Sequence, residues 1–204
     1  MYIPNYFKNE NINDVEKFLK QNSFGILISS VDNRLWGTHI PMELEKDKNG
    51  EEALYGHISK DNPQWKYFKE QDEVLAIFNG PHAYVSSSWY NHENVPTWNY
   101  IAIHVYGKLR MLDESELMYS LKKLMDKHEA DSEHPVKMEE MSDKTLRQAK
   151  GIVGFKILIT EIQAAYKLSQ NRDDEDHQNI IHKLSQRGDP ASAETAGQMK
   201  KLKS

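Results

Sequence analysis

The chain has 204 residues, no cysteine and a net charge of −5. Its length supports one substantial core or two small ones. The missing thiol excludes disulfides, thiolate metal sites and cysteine nucleophiles, and the acidic balance weighs against general attraction to phosphate backbones.

The N-terminal stretch MYIPNYFKNENIND is polar and has no apolar signal core. No apolar run approaches the roughly 20 residues that cross a bilayer. A cytoplasmic protein without membrane contact is expected. Asn13 or Asp14 can cap a short helix, with Val15, Phe18 and Leu19 on one face. Ser23–Val31 reads as a strand, Asp32-Asn33 as a turn and Leu35–Leu44 as the returning strand. Lys46–Gly50 is a second turn and Ala53–Ser59 a third strand. Lys60–Lys69 starts a short helix near Pro63.

The apolar runs Val74–Phe78 and Tyr100–Leu112 read as strands, with turns expected at Asn79-Gly80-Pro81 and Val95-Pro96-Thr97. Between them stand Tyr84, Trp89, Tyr90 and Trp98, interleaved with Ser86, Ser87, Ser88, His82 and His92. Stacking rings beside hydroxyls suit a flat ligand with a phosphate tail. They suit equally a β core with a polar rim. Asp113–Ala130 is the clearest helix, with Asp113 and Glu116 forming a capping box. Ser142 caps a short helix to Lys150, and Val153–Leu168 reads as a strand or strand pair. A last helix runs from about Asp173 to Gln186, with Gly188 after its end. One domain over residues 1–188 is expected, and Asp189–Ser204, poor in apolar residues, reads as a disordered tail. Roughly seven strands with few helices predict a mainly β (α+β) fold, an antiparallel barrel with peripheral helices.

Several clusters are candidates for chemistry. His57-Ile58-Ser59-Lys60-Asp61-Asn62-Pro63-Gln64-Trp65 joins a strand end to a helix start, which suits phosphate binding and also a capped helix with an exposed lysine. Lys167-Leu168-Ser169-Gln170-Asn171-Arg172 is dense in donors, and by itself reads better as a surface turn than as an anion site. Thr38-His39 can meet a ring system edge-on, or be ordinary strand residues. His39, His57, His82 and His104 all lie on predicted strands, but no histidine pair has a helical zinc-ligand spacing, so no metal site is expected. The two helices at Asp113–Ala130 and Ser142–Lys150 lie about a dozen residues apart, too far for a helix-turn-helix with its roughly 3–4-residue turn.

The blocks MYIPNYF, THIP, GHISKDNPQW, FNGPHAYVSSSWY, VPTWNYIAIHVYGKLR and KLSQNR occur in this order. Together they resemble the PaiB family, described as FMN-binding negative transcriptional regulators. The resemblance covers roughly residues 1–186. It departs at Ser87, where proline is expected, and at Asp174-Glu175-Asp176, which is more acidic than expected. The resemblance implies an antiparallel split β-barrel of the flavin-reductase and pyridoxine-phosphate-oxidase type, a homodimer with FMN held in a groove at the subunit interface. It implies that Ser59 and Lys60 hold the phosphate, with His57 and Asn62 nearby, and that the ring lies near Thr38, His39 and Tyr84. Trp98, Lys167, Gln170 and Arg172 would close the groove, as would Trp89. The implied role is repression of genes for extracellular degradative enzymes and sporulation. Alternatives are a flavin-dependent oxidoreductase acting on a small substrate and a haem-binding or haem-degrading relative. Direct DNA binding sits badly with the acidic charge.

Overall fold

The computed structural model describes residues 1–202. Six strands close into a barrel in the order β1-β2-β3-β6-β5-β4: β1 Phe24–Val31, β2 Arg34–Lys46, β3 Glu52–Ser59, β4 Glu73–Val85, β5 Thr97–Met111 and β6 Ile152–Lys167. The pairs β1/β2, β1/β4, β2/β3 and β3/β6 are antiparallel. Among the described residues five α-helices accompany them: α1 Ile12–Gln21, α2 Glu114–Glu129, α3 Asp143–Leu146, α4 Asp174–Ser185 and α5 Pro190–Leu202. The expected antiparallel barrel with peripheral helices is thus formed, of the split-barrel type.

The turns have local causes. Asp32 and Asn33 take φ of 50° and 59°, the left-handed pair that matches the twist of a tight hairpin. At the next turn Asp47 Oδ1 accepts from the backbone N–H of Asn49 and Glu51, and Gly50 takes φ 82°. Inside the barrel, a Cβ on Gly107 of β5 would strike the carbonyl oxygen of Leu158 on β6, so only glycine lets these strands approach.

Two features differ from expectation. Asn79-Gly80-Pro81 is not a turn, because β4 runs through it. The fixed φ of proline is compatible with extended backbone, so Pro81 removes a donor without ending the strand. Together with β6 being one strand, this leaves six strands rather than seven. Nor is the C-terminal segment a disordered tail. Pro190 occupies the first turn of α5, Asp189 Oδ1 accepts from Ser192 N at 2.8 Å, and Ser192, Thr195, Ala196 and Met199 are buried at i, i+3, i+4, i+7. Small residues supply that face, so a composition poor in large apolar side chains conceals it. Lys203 and Ser204 of the expected tail lie outside the described residues.

The chain divides into two compact units. The first comprises Phe18–Ile77 and Val105–Ile162, with a core of Leu27, Met42, Leu54, Leu109, Phe155 and Ile157, all fully buried or nearly so. In it α2 begins with the expected Asp113–Glu116 capping box and reaches β2 through ion pairs from Lys123 to Glu45 and from Lys127 to Glu43. The second comprises Met1–Lys17, Phe78–His104 and the chain from Gln163 onward, and buries Phe78, Ile101, Ile103, Leu168, Ile180 and Met199.

Candidate functional site

In the first unit, the end of β3 and the short 3-10 helix Pro63–Tyr67 hold a polar knot. Asn62 Oδ1 accepts from Gln64 N at 3.0 Å, which starts the helix, and Asn62 Nδ2 donates to Thr38 Oγ1 at 2.9 Å. Thr38 Oγ1 donates in turn to Gln64 Oε1 at 2.5 Å, and Gln64 Nε2 donates to Ser29 Oγ at 2.9 Å. The Gln64 side chain is fully buried and fully bonded. This arrangement obeys the accounting for buried amides: each polar atom left without a partner would cost free energy.

The knot fixes what faces outward. Lys60 N donates to Gly151 O at 2.8 Å, and Trp65 Nε1 donates to Lys60 O at 2.9 Å, so the backbone of Lys60 is held on both sides. Ser59 Oγ accepts from Asp61 N at 3.1 Å. The Lys60 side chain is exposed and lines a cleft of about 650 Å³ with Arg147 and Lys150 on its rim and Leu117 and Val153 among its apolar walls. Asp113, Glu114 and Asp143 also line it, so the cleft carries both signs of charge. His57 is half-buried on β3 opposite Gly154, and desolvation holds its pKa below the ordinary imidazole value. Thr38 and His39, neighbours on β2, point to opposite faces as strand geometry requires. Thr38 joins the knot, whereas His39 is exposed and stacks on Phe24 at 6.5 Å.

The remaining candidates lie in the second unit. Tyr84 meets Trp98 edge-on at 5.9 Å, and His82 lies 6.1 Å from the same indole. Trp98 is 53% exposed, so its ring is available to a ligand or partner. Lys167 Nζ donates to Thr97 Oγ1 at 2.5 Å, and burial, followed by the neighbouring Arg172 charge, lowers its pKa. Arg172 stacks over Tyr90 at 5.0 Å. Gln170 closes its own turn, accepting from Leu168 N at 2.8 Å and donating to Tyr166 O at 2.5 Å, beside Ser169 at φ 58°. Within KLSQNR, then, Gln170 serves the backbone, Lys167 reaches Thr97 and Arg172 lies on a ring.

The structure thus joins Thr38, Asn62 and the Ser59-Lys60 turn around Gln64, and joins Tyr84 with Trp98. It turns His39 away from Thr38. Gln64 belongs to the GHISKDNPQW cluster but not to the residues the resemblance assigns to the ligand, and Ser29 belongs to neither. Gln64 follows Asn62-Pro63 directly, and the Asn-Pro-Gln start of a helix was the available signal. Ser29 lies on β1 and left no sequence signal. Among the described residues, no group of three His, Cys, Asp or Glu side chains is placed to hold a metal, and no helix is long and apolar enough to cross a membrane.

Comparison with known proteins places these features in a family. The chain is 45% identical to Protease synthase and sporulation protein PAI 2 of Bacillus subtilis (strain 168), over 100% of this chain and 99% of that one. An uncharacterized protein of Emericella nidulans is 29% identical over 89% of each chain. Among solved structures, the flavocytochrome Anf3 of Azotobacter vinelandii superposes with a TM-score of 0.63 at 14% identity, over 87% of this chain and 78% of that one. An FAD and heme binding protein of Mycobacterium smegmatis superposes with a TM-score of 0.61 at 13% identity, over 83% and 78%. At such identities the superpositions establish the shared fold. Residues 1–161 match the family model described as "Putative FMN-binding domain", and the chain belongs to that family.

Proposed function

We propose that this protein binds FMN and acts as a negative regulator of genes for extracellular degradative enzymes and sporulation. The observation that carries this reading is the full-length similarity, at 45% identity, to a relative named for protease synthesis and sporulation, in a family described by FMN binding.

The side chains present fit a flavin mononucleotide in kind. Lys60 offers an ammonium and Ser59 a hydroxyl at a strand end, the donors a phosphate dianion takes. Thr38, Asn62 and Gln64 are bonded to one another and act by holding that turn in place. His57, neutral through burial over more of the pH range than a free imidazole, adds no positive charge near neutrality. Within the second unit taken by itself, Tyr84 and Trp98 offer ring faces and edges for stacking, and Lys167 fixes Thr97 beside Trp98, while Gln170 closes its own turn and Arg172 lies on Tyr90. His39 remains a candidate only from the outer face of β2. A bound flavin supplies reversible one- and two-electron transfer, while the protein binds, orients and excludes water.

The protein acts as a cytoplasmic homodimer in this reading. A net charge of −5 favours regulation through a partner protein or a flavin-dependent reaction over direct attraction to DNA. The test is an absorption spectrum and size-exclusion profile of the purified protein after addition of FMN. A flavin spectrum that co-elutes with a dimer supports the reading, and absence of flavin uptake overturns its cofactor part. A promoter mobility shift that depends on sequence would restore direct DNA contact.

A further inference from the structure

The segment between β4 and β5 lies against α4 within the second unit. Asn91 N donates to Asp176 Oδ1 at 2.8 Å, Asn91 Nδ2 donates to Glu175 Oε2 at 3.1 Å, and Asn179 Nδ2 donates to Trp89 O at 2.5 Å. The Asp176 side chain is only 1% exposed. Its second oxygen, Oδ2, is buried with no hydrogen-bond partner of its own and lies 3.3 Å from His92 Nδ1. The His92 side chain is 50% exposed. A buried carboxylate facing a half-exposed imidazole needs a reason, because a desolvated anion is costly unless charge or donors compensate it.

The proton positions on His92 follow from its neighbours. Nδ1 is 2.8 Å from Asn91 Oδ1, and the Asn91 amide is oriented by its donation to Glu175, so an oxygen faces the ring there. With Asp176 Oδ2 on the same side, Nδ1 looks at two acceptors and carries a hydrogen. Nε2 is 3.3 Å from Asn94 Nδ2, and the Asn94 amide is oriented because its Oδ1 accepts from Val95 N at 2.9 Å. Nε2 therefore faces a donor, and in the neutral ring it carries the lone pair.

We propose that His92 and Asp176 form an acid–base pair. Asp176 holds Nδ1–H inward, and Nε2 presents its lone pair to a small substrate with an acidic O–H or N–H, which displaces the long bond from Asn94. The substrate's proton passes to Nε2, the imidazolium that forms is offset by the Asp176 carboxylate, and the proton returns to the product or to water. This is the division of labour by which a carboxylate orients an imidazole base. The other charged and titratable groups near the pair are Asp173, Asp174, Glu175 and His177 at the start of α4, Glu93 beside His92, and Arg172 over the Tyr90 ring. The Tyr90 ring itself lies 5.9 Å from His92.

The first test is long-range ¹H–¹⁵N NMR of the full-length protein, with His92 assigned through His92→Gln. The expected result is an Nδ1–H tautomer at His92, opposite to the Nε2–H majority expected at exposed His134, with the His92 Nδ1 resonance shifted in Asp176→Asn. A free-imidazole pattern at His92 in the unsubstituted protein overturns the proposal, so the outcome does not depend on the variant folding. The second test uses diethyl pyrocarbonate as the probe. An unprotonated imidazole nitrogen attacks one carbonyl, the anhydride C–O bond breaks, and the leaving ethyl carbonate takes the ring proton and decomposes to ethanol and carbon dioxide. Under mildly alkaline conditions, where imidazole rings are unprotonated, His92 should be modified severalfold faster than His134, and at a rate close to that of His134 in Asp176→Asn. Equal rates in the unsubstituted protein overturn the acid–base role and leave a helix-docking contact. Neither test uses flavin, so both outcomes stand apart from that of the cofactor reading.

Discussion

The polar knot at the end of β3 and the aromatic segment before β5 are both rich in donors and rings, yet they are held in different ways. In the knot, Asn62 and Gln64 are two residues apart and close on Thr38 and Ser29 of the neighbouring hairpin. Every bond runs inward, and only the Ser59-Lys60 turn is left for a ligand. The aromatic segment is fixed from far along the chain, by Glu175, Asp176 and Asn179 of α4 and by Arg187, which donates to Tyr84 O at 3.0 Å and lies 5.3 Å over the Trp89 ring. Of its rings, Trp89 is half-buried and Tyr90 buried. A locally closed network makes a rigid mount, whereas a segment held by a distant helix depends on that helix staying docked.

Removing α5 should break the second region most severely. Truncation after Gly188 strips the burial of Ala196 and Met199 and takes Met199 Sδ from Asn99 Nδ2, which now lies 3.4 Å from it. The loss expected is at least about 4 kcal/mol of unfolding free energy, from one fully buried methionine, the exposed surface it covered and an orphaned amide. A denaturation midpoint that stays in place would show that α5 does not dock.

Gln64→Leu tests the first region. It takes the side-chain partner from Thr38 Oγ1 and Ser29 Oγ at a fully buried position, while Asn62 keeps its bonds to the residue-64 N–H and to Thr38, and about 2–4 kcal/mol of stability should go. Urea titration measures it; a neutral result would mean that the knot relaxes to other partners.

Lys60→Ala separates ligand binding from mounting. FMN affinity should fall by about 1.5–3 kcal/mol if Lys60 makes a charge-assisted bond to the phosphate, with riboflavin affinity unchanged. Equal losses for both ligands, or none for either, would move the phosphate elsewhere.

The smallest effect concerns protonation of His57. Burial lowers its folded pKa, so the unfolded state binds more protons between the folded pKa and the ordinary value near 6.5. Stability should therefore be complete above about pH 6.5 and decline as the pH falls through that value toward the folded pKa. Thermal midpoints between neutral and mildly acidic pH should slope less steeply in His57→Gln; identical slopes would assign the pH dependence to other groups, His104 among them, whose pKa burial also lowers.

Much of this molecule was legible before any coordinates. The Asp32-Asn33 and Lys46–Gly50 turns, the Asp113–Glu116 capping box and the apolar run of the Ser23–Val31 strand are local signals, because turn chemistry and apolar patterning act within a few residues. The six ordered blocks identified the family, and with it the barrel. Sequence alone also suggested breaks that do not exist. Gly80-Pro81 carries turn chemistry, but neighbouring strands can hold extended backbone that local propensity would bend. The face of α5 was invisible for a related reason: Ser192, Thr195 and Ala196 become buried only because small side chains let a helix approach closely. Above all, no spacing in the chain tells which donors of GHISKDNPQW turn inward, or that His92 meets Asp176 more than eighty residues later. Contacts between distant segments depend on how the strands register and the helices dock, and tertiary packing alone decided them.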